Sequence, residues 1–317
     1  YMTQPSQSSS DLTTLSFEVM PPRKENLIKP FWDTVQRLLS VTPDFLSVTY
    51  GAAGQDRHSA RDVVRSLVQD SPVQPIAHLT CVGTTATEVG EVVSDYLDAG
   101  VRTFLALRGD PPVGRPDWQP APGGVSSATE LVTLIRSIEA ARCAQYPGAA
   151  LRAAFKPLTI AVAAFPAGNP AAGTSPNQEA ERLLVKQSAG ASFAITQLFW
   201  ETDTYVNFLE KARSNGVTIP IVPGILPPTD IKRVNRMTEL TGVVFPEYLR
   251  RRLESAQSVE EMYSVGVSLG ARLARDLHEA GAPGIHMYTF NKAAPALDVL
   301  DAAGLVSASH LDPSISR

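Results

Sequence analysis

The stretch Ser16-Phe17-Glu18-Val19-Met20-Pro21-Pro22 is a short apolar segment that carries one carboxyl group and ends at two prolines. It predicts a β-strand that stops at the prolines, because proline lacks the N–H that would continue a ladder. Since Phe17 and Val19 flank Glu18, we expect burial to favour the protonated carboxyl, which can donate a proton near neutral pH. A glutamate on an edge strand, facing solvent, is the alternative.

Segments with strand and helix patterns alternate along the rest of the chain. Further strands are predicted over residues 45–50, 75–82, 103–110, 158–165, 193–200, 219–226 and 284–291. Helices are predicted over residues 25–40, 58–69, 86–98, 128–145, 177–189, 203–214, 229–240 and 293–303, with an extra helical stretch over 246–280. Strands that alternate with helices form parallel sheets through right-handed crossovers. Eight such pairs in 317 residues fit one barrel.

The fold class predicted from this alternation is α/β, a (β/α)₈ TIM barrel with extra helices before the last strand. We predict a single barrel domain over residues 15–305, a flexible N-terminal tail over 1–14 and a C-terminal tail over 306–317. A doubly wound open sheet is the alternative, but no GxGxxG motif follows any strand. The Pro- and Gly-rich stretch 111–124 is expected to form a long loop on the functional face.

Composition and charge exclude several classes of partner. The net charge is −4 and no Lys/Arg cluster is dense enough to neutralise a row of phosphates, so we predict no nucleic-acid partner. We also predict no membrane role, because the longest apolar run, residues 158–165, is too short to cross a bilayer. The polar first fourteen residues do not resemble a signal peptide. Cys81 and Cys143 lie far apart without CxxC spacing, which favours a reducing cytoplasm.

Functional side chains gather at the carboxyl ends of the predicted strands, where such a barrel carries its chemistry. The residues at these ends are Glu18, Thr49, Tyr50, His78, Thr80, Arg108, Gly109, Asp110, Phe165, Gln197, Tyr288 and Asn291. Each has a structural alternative, such as His78 as a core histidine or Arg108 and Asp110 as a buried ion pair. The five histidines show no HxH or HExxH spacing, so no metal site is predicted. GxSxG and GKS/GKT motifs are absent, which disfavours hydrolase and nucleotide-phosphate chemistry.

Six short motifs follow one another at these strand ends. They are Phe17-Glu18-Val19-Met20-Pro21-Pro22-Arg23, Ser47-Val48-Thr49-Tyr50-Gly51-Ala52, Ala77-His78-Leu79-Thr80-Cys81, Ala106-Leu107-Arg108-Gly109-Asp110, Ala194-Ile195-Thr196-Gln197 and Pro223-Gly224-Ile225-Leu226-Pro227. In this order they resemble the signatures of the methylenetetrahydrofolate reductase family over about residues 15–305. The resemblance covers the barrel domain only, without the S-adenosylmethionine-sensing domain of larger relatives. It implies a barrel that reduces 5,10-methylenetetrahydrofolate to 5-methyltetrahydrofolate with NAD(P)H, ordinarily through bound FAD.

The resemblance also implies roles for individual residues. Glu18 would be the general acid that protonates the folate ring nitrogen and opens the five-membered ring to a 5-iminium cation. Asp110 would contact the pterin and stabilise the developing positive charge. Gln197 would contact both folate and nicotinamide. Arg233 and Lys292 stand where the family usually has glutamine and arginine, and their charge suits the glutamate tail of the folate.

Nine residues resemble the positions at which the family holds its cofactors. They are Thr49, Tyr50, Ala52, His78, Arg108, Gly109, Phe165, Lys186 and Gln197. The pattern departs from the family on the flavin side, where Phe165 replaces a usual tyrosine and Asn169 a usual histidine. Likewise Arg182 replaces a usual asparagine and Val185 a usual arginine. Each lost charge-assisted hydrogen bond forfeits about 1.5–3 kcal/mol, so two losses weaken flavin binding by roughly 10²- to 10⁴-fold.

We therefore predict that FAD binds weakly or not at all and that hydride passes directly from NADH or NADPH to the folate. The first alternative is the same reaction through tightly bound FAD. Two others are a flavin barrel that dehydrogenates a small cyclic amine and a folate-binding protein without catalytic activity. The choice between NADH and NADPH and the oligomeric state stay open at this point.

Overall fold

The computed structural model describes residues 14–50, 54–110, 114–115, 117–120 and 122–306. Apart from Thr14 and Val306, the two predicted tails lie outside these residues. So do the predicted cofactor residue Ala52 and part of the predicted loop over 111–124.

The described residues contain nine β-strands and eleven α-helices. The strands are β1 (Leu15–Val19), β2 (Phe45–Val48), β3 (Gln74–Thr80), β4 (Thr103–Leu107), β5 (Thr159–Ala164), β6 (Phe193–Thr196), β7 (Ile221–Val222), β8 (Gly224–Ile225) and β9 (Ile285–Tyr288). The helices are α1 (Ile28–Leu39), α2 (Gly54–Asp70), α3 (Ala86–Asp98), α4 (Ala128–Gln145), α5 (Pro147–Phe155), α6 (Pro176–Ser188), α7 (Thr202–Ser214), α8 (Ile231–Thr241), α9 (Glu247–Glu254), α10 (Val259–Glu279) and α11 (Ala293–Ala302).

The strands form a parallel sheet that curves round until its two ends meet. Hydrogen-bonded neighbours follow the order β7-β6-β5-β4-β3-β2-β1-β9-β8. Only Pro223 separates β7, which pairs with β6, from β8, which pairs with β9. Residues 221–225 therefore act as one seventh strand that closes the ring, and the predicted (β/α)₈ barrel is confirmed. The prediction of an unbroken strand over 219–226 was wrong, because Pro223 has no N–H to donate to a ladder.

The two faces of the sheet differ in chemistry, since side chains alternate between outside and inside along each strand. On β1, Phe17 and Val19 belong to the main core between the sheet and the helices. The inner face carries a separate apolar cluster, formed by Ile76, Leu105, Ala161 and Ile195. It also carries buried polar side chains, namely Ser16, Ser47, His78 and His286. The barrel interior is thus divided into an apolar part and a polar part.

Two helical regions show how far the sequence pattern can be followed. The stretch predicted over 246–280 is two helices, α9 and α10, so extra helices before the last strand are confirmed. Helix α5 was not predicted, because Pro147 suggests the end of α4 but occupies the first turn of a new helix. None of the helices that the structure describes is both long enough and apolar enough to cross a bilayer.

Candidate active site

Glu18 lies on the inward face of β1, near the carboxyl end of the strand. Its Cα partners on the neighbouring strands are Ser47 on β2 and Tyr288 on β9. Because β1 is paired on both sides, the alternative of an edge strand is wrong. The side chain is 23% exposed, and burial raises the pKa of its carboxyl from the ordinary 4.5 to about 7. Glu18 can therefore hold and release a proton near neutral pH.

Two serine–histidine pairs occupy the polar part of the barrel interior. His78 Nε2 bonds to the Ser47 hydroxyl and lies 3.9 Å from Glu18 Oε2. His286 Nδ1 lies 2.8 Å from the Ser16 hydroxyl. Burial lowers the pKa of both imidazoles to about 3, and for His78 the neighbouring His286 contributes a smaller part of that lowering. Both rings are thus neutral at pH 7, so neither histidine opposes the protonation of Glu18.

The loop after β9 fixes the end of the strand that carries Glu18. The Thr289 hydroxyl donates to the carbonyl of Glu18 at 2.6 Å. The Asn291 side chain both accepts from the Met20 N–H at 2.8 Å and donates to the Met20 carbonyl at 2.7 Å. Asn291 has a φ of 58°, a left-handed conformation that asparagine tolerates better than most residues. An amide side chain therefore continues the pairing of β1 beyond the last residue of β9.

The other predicted residues on β2 and β4 line the same mouth. The Thr49 N–H donates to the Val19 carbonyl at 3.1 Å, which holds the end of β2 against β1. The Arg57 guanidinium lies 5.1 Å from the centre of the Tyr50 ring. Arg108 and Asp110 are both exposed at the end of β4, so the alternative of a buried ion pair is wrong.

Gly109 separates these two residues and has a φ of 84°. A Cβ there would lie 3.0 Å from a Val82 methyl group and 3.1 Å from the Thr80 Cβ. The turn that presents Asp110 therefore needs glycine.

The predicted folate contacts come from the opposite part of the mouth. Gln197 directly follows β6, is partly buried, and accepts the Leu198 N–H at 2.9 Å through Oε1. The Arg233 guanidinium on α8 lies 4.3 Å from the centre of the Phe290 ring. Lys292 is exposed immediately before α11. An amide and two cations thus stand at the carboxyl ends of β6, β8 and β9.

The sequence of the chain matches one known family. The family model described as methylenetetrahydrofolate reductase matches residues 4–304, which is nearly the entire chain. The chain belongs to the methylenetetrahydrofolate reductase family. The resemblance found in the sequence motifs is thereby confirmed, together with the prediction of an enzyme of this kind.

Named relatives agree with the family match. The 5,10-methylenetetrahydrofolate reductases of Pectobacterium carotovorum and Escherichia coli are each 30% identical over 282 residues, covering 88% of this chain and 86% of theirs. A rice protein called probable methylenetetrahydrofolate reductase (NADH) is 30% identical and covers 96% of this chain, which spans half of its length. A Clostridium thermocellum protein, described as binding two copies of 5-methyl-5,6,7,8-tetrahydrofolic acid, shares the fold with a TM-score of 0.60 at 15% identity.

Within a methylenetetrahydrofolate reductase, residues 165–186 form the predicted flavin side, and here their cations are already engaged. Lys186 Nζ donates to the Ala163 carbonyl at 2.8 Å and lies 5.6 Å from the centre of the Phe165 ring. Burial lowers the pKa of this lysine to about 8, which the nearby Glu179 carboxylate partly offsets. Arg182 is 3.4 Å from Glu179, a carboxylate that is 3% exposed and also accepts from a threonine hydroxyl. Each of the two cations therefore already has a partner within the protein.

The flavin side also lacks a cation at the next predicted position. Val185 is 55% exposed, so an apolar side chain stands where the family usually has an arginine. Asn169 stands where the family usually has a histidine, and its backbone pairs with that of Thr174. The residues present therefore fit a flavin diphosphate poorly.

Sequence reasoning missed the polar residues beneath the mouth, namely Ser16, Ser47 and His286. A signal was present, because polar residues recur with a period of two as Ser16 and Glu18 on β1 and as His286 and Tyr288 on β9. Strand register was needed to show that these residues face one another. In the part of the chain that the structure describes, no group of three or more His, Cys, Asp or Glu side chains could hold a metal ion.

Proposed function

We propose that this protein reduces 5,10-methylenetetrahydrofolate to 5-methyltetrahydrofolate by direct hydride transfer from NADH, without bound FAD. The observation that carries the proposal is the Glu18 carboxyl, which burial holds at a pKa of about 7 at the mouth of the barrel. A general acid is most effective when its pKa lies near the working pH. Family membership supports the substrate, and the name of the rice relative supports NADH as the donor.

Glu18 begins the reaction by giving its proton to the ring nitrogen that leaves the methylene carbon. The carbon–nitrogen bond breaks, the nitrogen keeps the electron pair, and a 5-iminium cation forms. The exposed Asp110 carboxylate stabilises that positive charge through its own negative charge. Hydride from the dihydronicotinamide then adds to the methylene carbon, which yields the 5-methyl group and NAD⁺. Glu18 regains its proton from solvent after product release.

We assign substrate binding to Gln197, Arg233 and Lys292, which stand at the carboxyl ends of β6, β8 and β9. Gln197 would contact the pterin and the nicotinamide. Direct hydride transfer requires these two rings to stack at about 3–3.5 Å. Arg233 and Lys292 would attract the carboxylates of the glutamate tail. The Arg233 guanidinium is already oriented by the Phe290 ring, whereas Lys292 is an exposed point charge.

The proposal of a reaction without FAD is supported by the engaged cations on the flavin side. Lys186 already gives one of its three N–H donors to the Ala163 carbonyl. A phosphate that drew Arg182 away from Glu179 would take a partner from a buried carboxylate. The two free thiols, Cys81 and Cys143, fit the reducing cytoplasm that we propose as the compartment.

Two measurements on freshly purified protein test the proposal. A visible spectrum should lack a flavin band, while NADH oxidation should depend on added methylenetetrahydrofolate. A stoichiometric flavin band would instead establish the route through FAD, held by Tyr50, Ala52, His78, Arg108, Gly109 and Lys186. The spectrum thus decides the cofactor independently of the substrate.

The role of Glu18 is tested by replacement with an isosteric amide. Glu18→Gln should lower kcat by about 10²- to 10⁴-fold, the usual contribution of a general acid, while folate binding persists. Unchanged turnover would exclude the acid role. Folate binding without any NADH-dependent turnover in the unaltered protein would favour a non-catalytic folate-binding protein.

A further inference from the structure

The register of β1 and β9 makes Tyr288 the neighbour of Glu18, and the break in the seventh strand gives the Tyr288 ring a fixed place against Gly224. We propose that Tyr288, held there by Thr196 and Gly224, is a positioning residue that shields the Glu18 carboxyl from water and so preserves its proton. We call these three residues the latch. The inference deepens the proposed function, and only its activity readout depends on that function.

The latch replaces a ladder hydrogen bond that the break removes. The register pairs Ala194 with Ile221 and Ile195 with Val222, so a continuing ladder would join the Gly224 N–H to the Thr196 carbonyl. Instead, the Gly224 N–H donates to the Thr196 hydroxyl at 2.9 Å. The Tyr288 hydroxyl donates to the Thr196 carbonyl at 2.5 Å. Side chains thus satisfy both backbone groups at the break.

Gly224 provides the space that the tyrosine ring occupies. A Cβ at this position would lie 2.5 Å from the Thr196 oxygen and 2.7 Å from Cε2 of Tyr288. Both distances are too short for any real side chain, so the ring can cross the seventh strand only because residue 224 has none. Glycine is therefore required here for close approach rather than for a positive φ.

The Tyr288 ring belongs to β9, the strand next to the one that carries Glu18. Tyr288 is the Cα partner of Glu18, and neighbouring strands are about 4.8 Å apart. The groups that face the carboxyl from the surrounding strands are Ser47 on β2, His78 on β3, and His286 and Tyr288 on β9. His286 packs edge-on against the Tyr288 ring at 5.2 Å between ring centres. Burial and the nearby Glu18 raise the pKa of the Tyr288 hydroxyl well above its ordinary value, so it stays a donor.

All of these neighbours are uncharged at pH 7, so the proton on Glu18 depends on exclusion of water rather than on an ion pair. Without the hydroxyl, the ring is no longer tied to Thr196, and its position beside Glu18 is no longer fixed. Water then reaches Glu18 and stabilises the anion. The pKa of the carboxyl should fall towards its ordinary value.

The chain offers a matched control for the loss of one tyrosine hydroxyl. Tyr205 on α7 is fully buried and donates to the Ile221 carbonyl of β7 at 2.7 Å, but from the outer face of the barrel. Tyr288→Phe and Tyr205→Phe therefore each remove one bond from a tyrosine to a backbone carbonyl beside the same strand break. A merely structural role predicts the same behaviour for both variants.

The test is an infrared titration of the Glu18 carboxyl in the substrate-free protein, with the band identified by its absence in Glu18→Gln. We expect Tyr288→Phe to lower the pKa of Glu18 from about 7 to about 6 and Tyr205→Phe to leave it unchanged. The protonated fraction at pH 7 then falls from about one half to about one tenth, and kcat at pH 7 falls roughly fivefold. The decline of kcat with rising pH should begin about one pH unit earlier in Tyr288→Phe alone.

Two results would overturn the inference: the same Glu18 titration in Tyr288→Phe and the unaltered protein, or an equal displacement in both phenylalanine variants. Because the titration uses no substrate, it gives its answer even if the protein does not reduce methylenetetrahydrofolate. An infrared shift with no activity in any variant would support the latch and reject the proposed function. A protein that reduces methylenetetrahydrofolate but whose Glu18 titration is unchanged in Tyr288→Phe would support the proposed function and reject the latch.

Discussion

Because the Glu18 carboxyl is buried, replacing it with the neutral amide of glutamine should stabilise the protein, but only at pH values above the unfolded pKa of 4.5. A raised pKa means that the folded state binds the proton more tightly than the unfolded state. The stability that this proton provides is complete below the unfolded value of 4.5 and is lost as the pH rises through the folded value of about 7. Glu18→Gln has no proton to lose, so it should avoid this loss.

The size of the effect follows from the two pKa values. The interval from 4.5 to about 7 sets a ceiling of about 3 kcal/mol, since each tenfold change in proton affinity is worth about 1.4 kcal/mol. The side chain is 23% exposed, so we expect about 1–3 kcal/mol after partial screening. The difference should be absent near pH 4.5, grow up to pH 7, and stay level above it.

Urea denaturation of the two proteins from pH 5 to pH 8.5, followed by tryptophan fluorescence, measures this difference. Glu88→Gln is a control of opposite sign, because hydrogen bonds from Thr85 at the start of α3 lower the pKa of Glu88. That variant should be less stable than the unaltered protein at neutral pH, with the difference fading in acid. A stability difference between Glu18→Gln and the unaltered protein that does not change with pH would refute the reasoning.

Four further changes test other parts of the structure. His286→Asn keeps a partner for Ser16 but removes an imidazole whose pKa in the folded protein is about 3. A lowered pKa contributes stability above the unfolded value of 6.5 that is lost as the pH falls towards the folded value. The variant avoids that loss, so its acid unfolding, monitored by circular dichroism, should move to lower pH. Arg136 on α4 bonds to the Gly190 and Leu158 carbonyls at 2.8–3.1 Å, so Arg136→Met should cost about 2–4 kcal/mol in urea denaturation, with Arg136→Lys recovering only part of it. Gly266→Ala on α10 would place a Cβ 2.3 Å from the Pro228 oxygen and should lower Tm by several degrees. Gly90→Ala on α3 meets nothing closer than 3.8 Å and should raise stability by about 0.5–1 kcal/mol.

The barrel could be predicted from the sequence because its signal is repeated along the whole chain. Apolar strands and amphipathic helices alternate, and each pair of elements supports the interpretation of the next. The exact ends of individual strands and helices were harder to predict. Pro223 interrupts a segment that is apolar on both sides, and Pro147 begins a helix where a proline more often ends one.

The active site divides in the same way. Glu18, Asp110 and Gln197 could be named because they stand at strand ends in familiar motifs. The protonated Glu18 carboxyl was also expected, but the polar groups around it could not be predicted, because they depend on which side chains face one another across the interior. The pairing of Ser47 with His78 joins β2 to β3, and only the register of the sheet brings the two residues together.

The amide of Asn291 affects the chemical stability of this protein during storage in solution. It holds the Met20 peptide from both sides, with nitrogen donating to the carbonyl and oxygen accepting from the N–H. Spontaneous deamidation would turn the donating nitrogen into an oxygen and set a negative charge against that carbonyl, two residues from Glu18. Chemical ageing at this one asparagine would therefore loosen the strand that carries the acid, and a preparation could lose turnover while its fold stays intact.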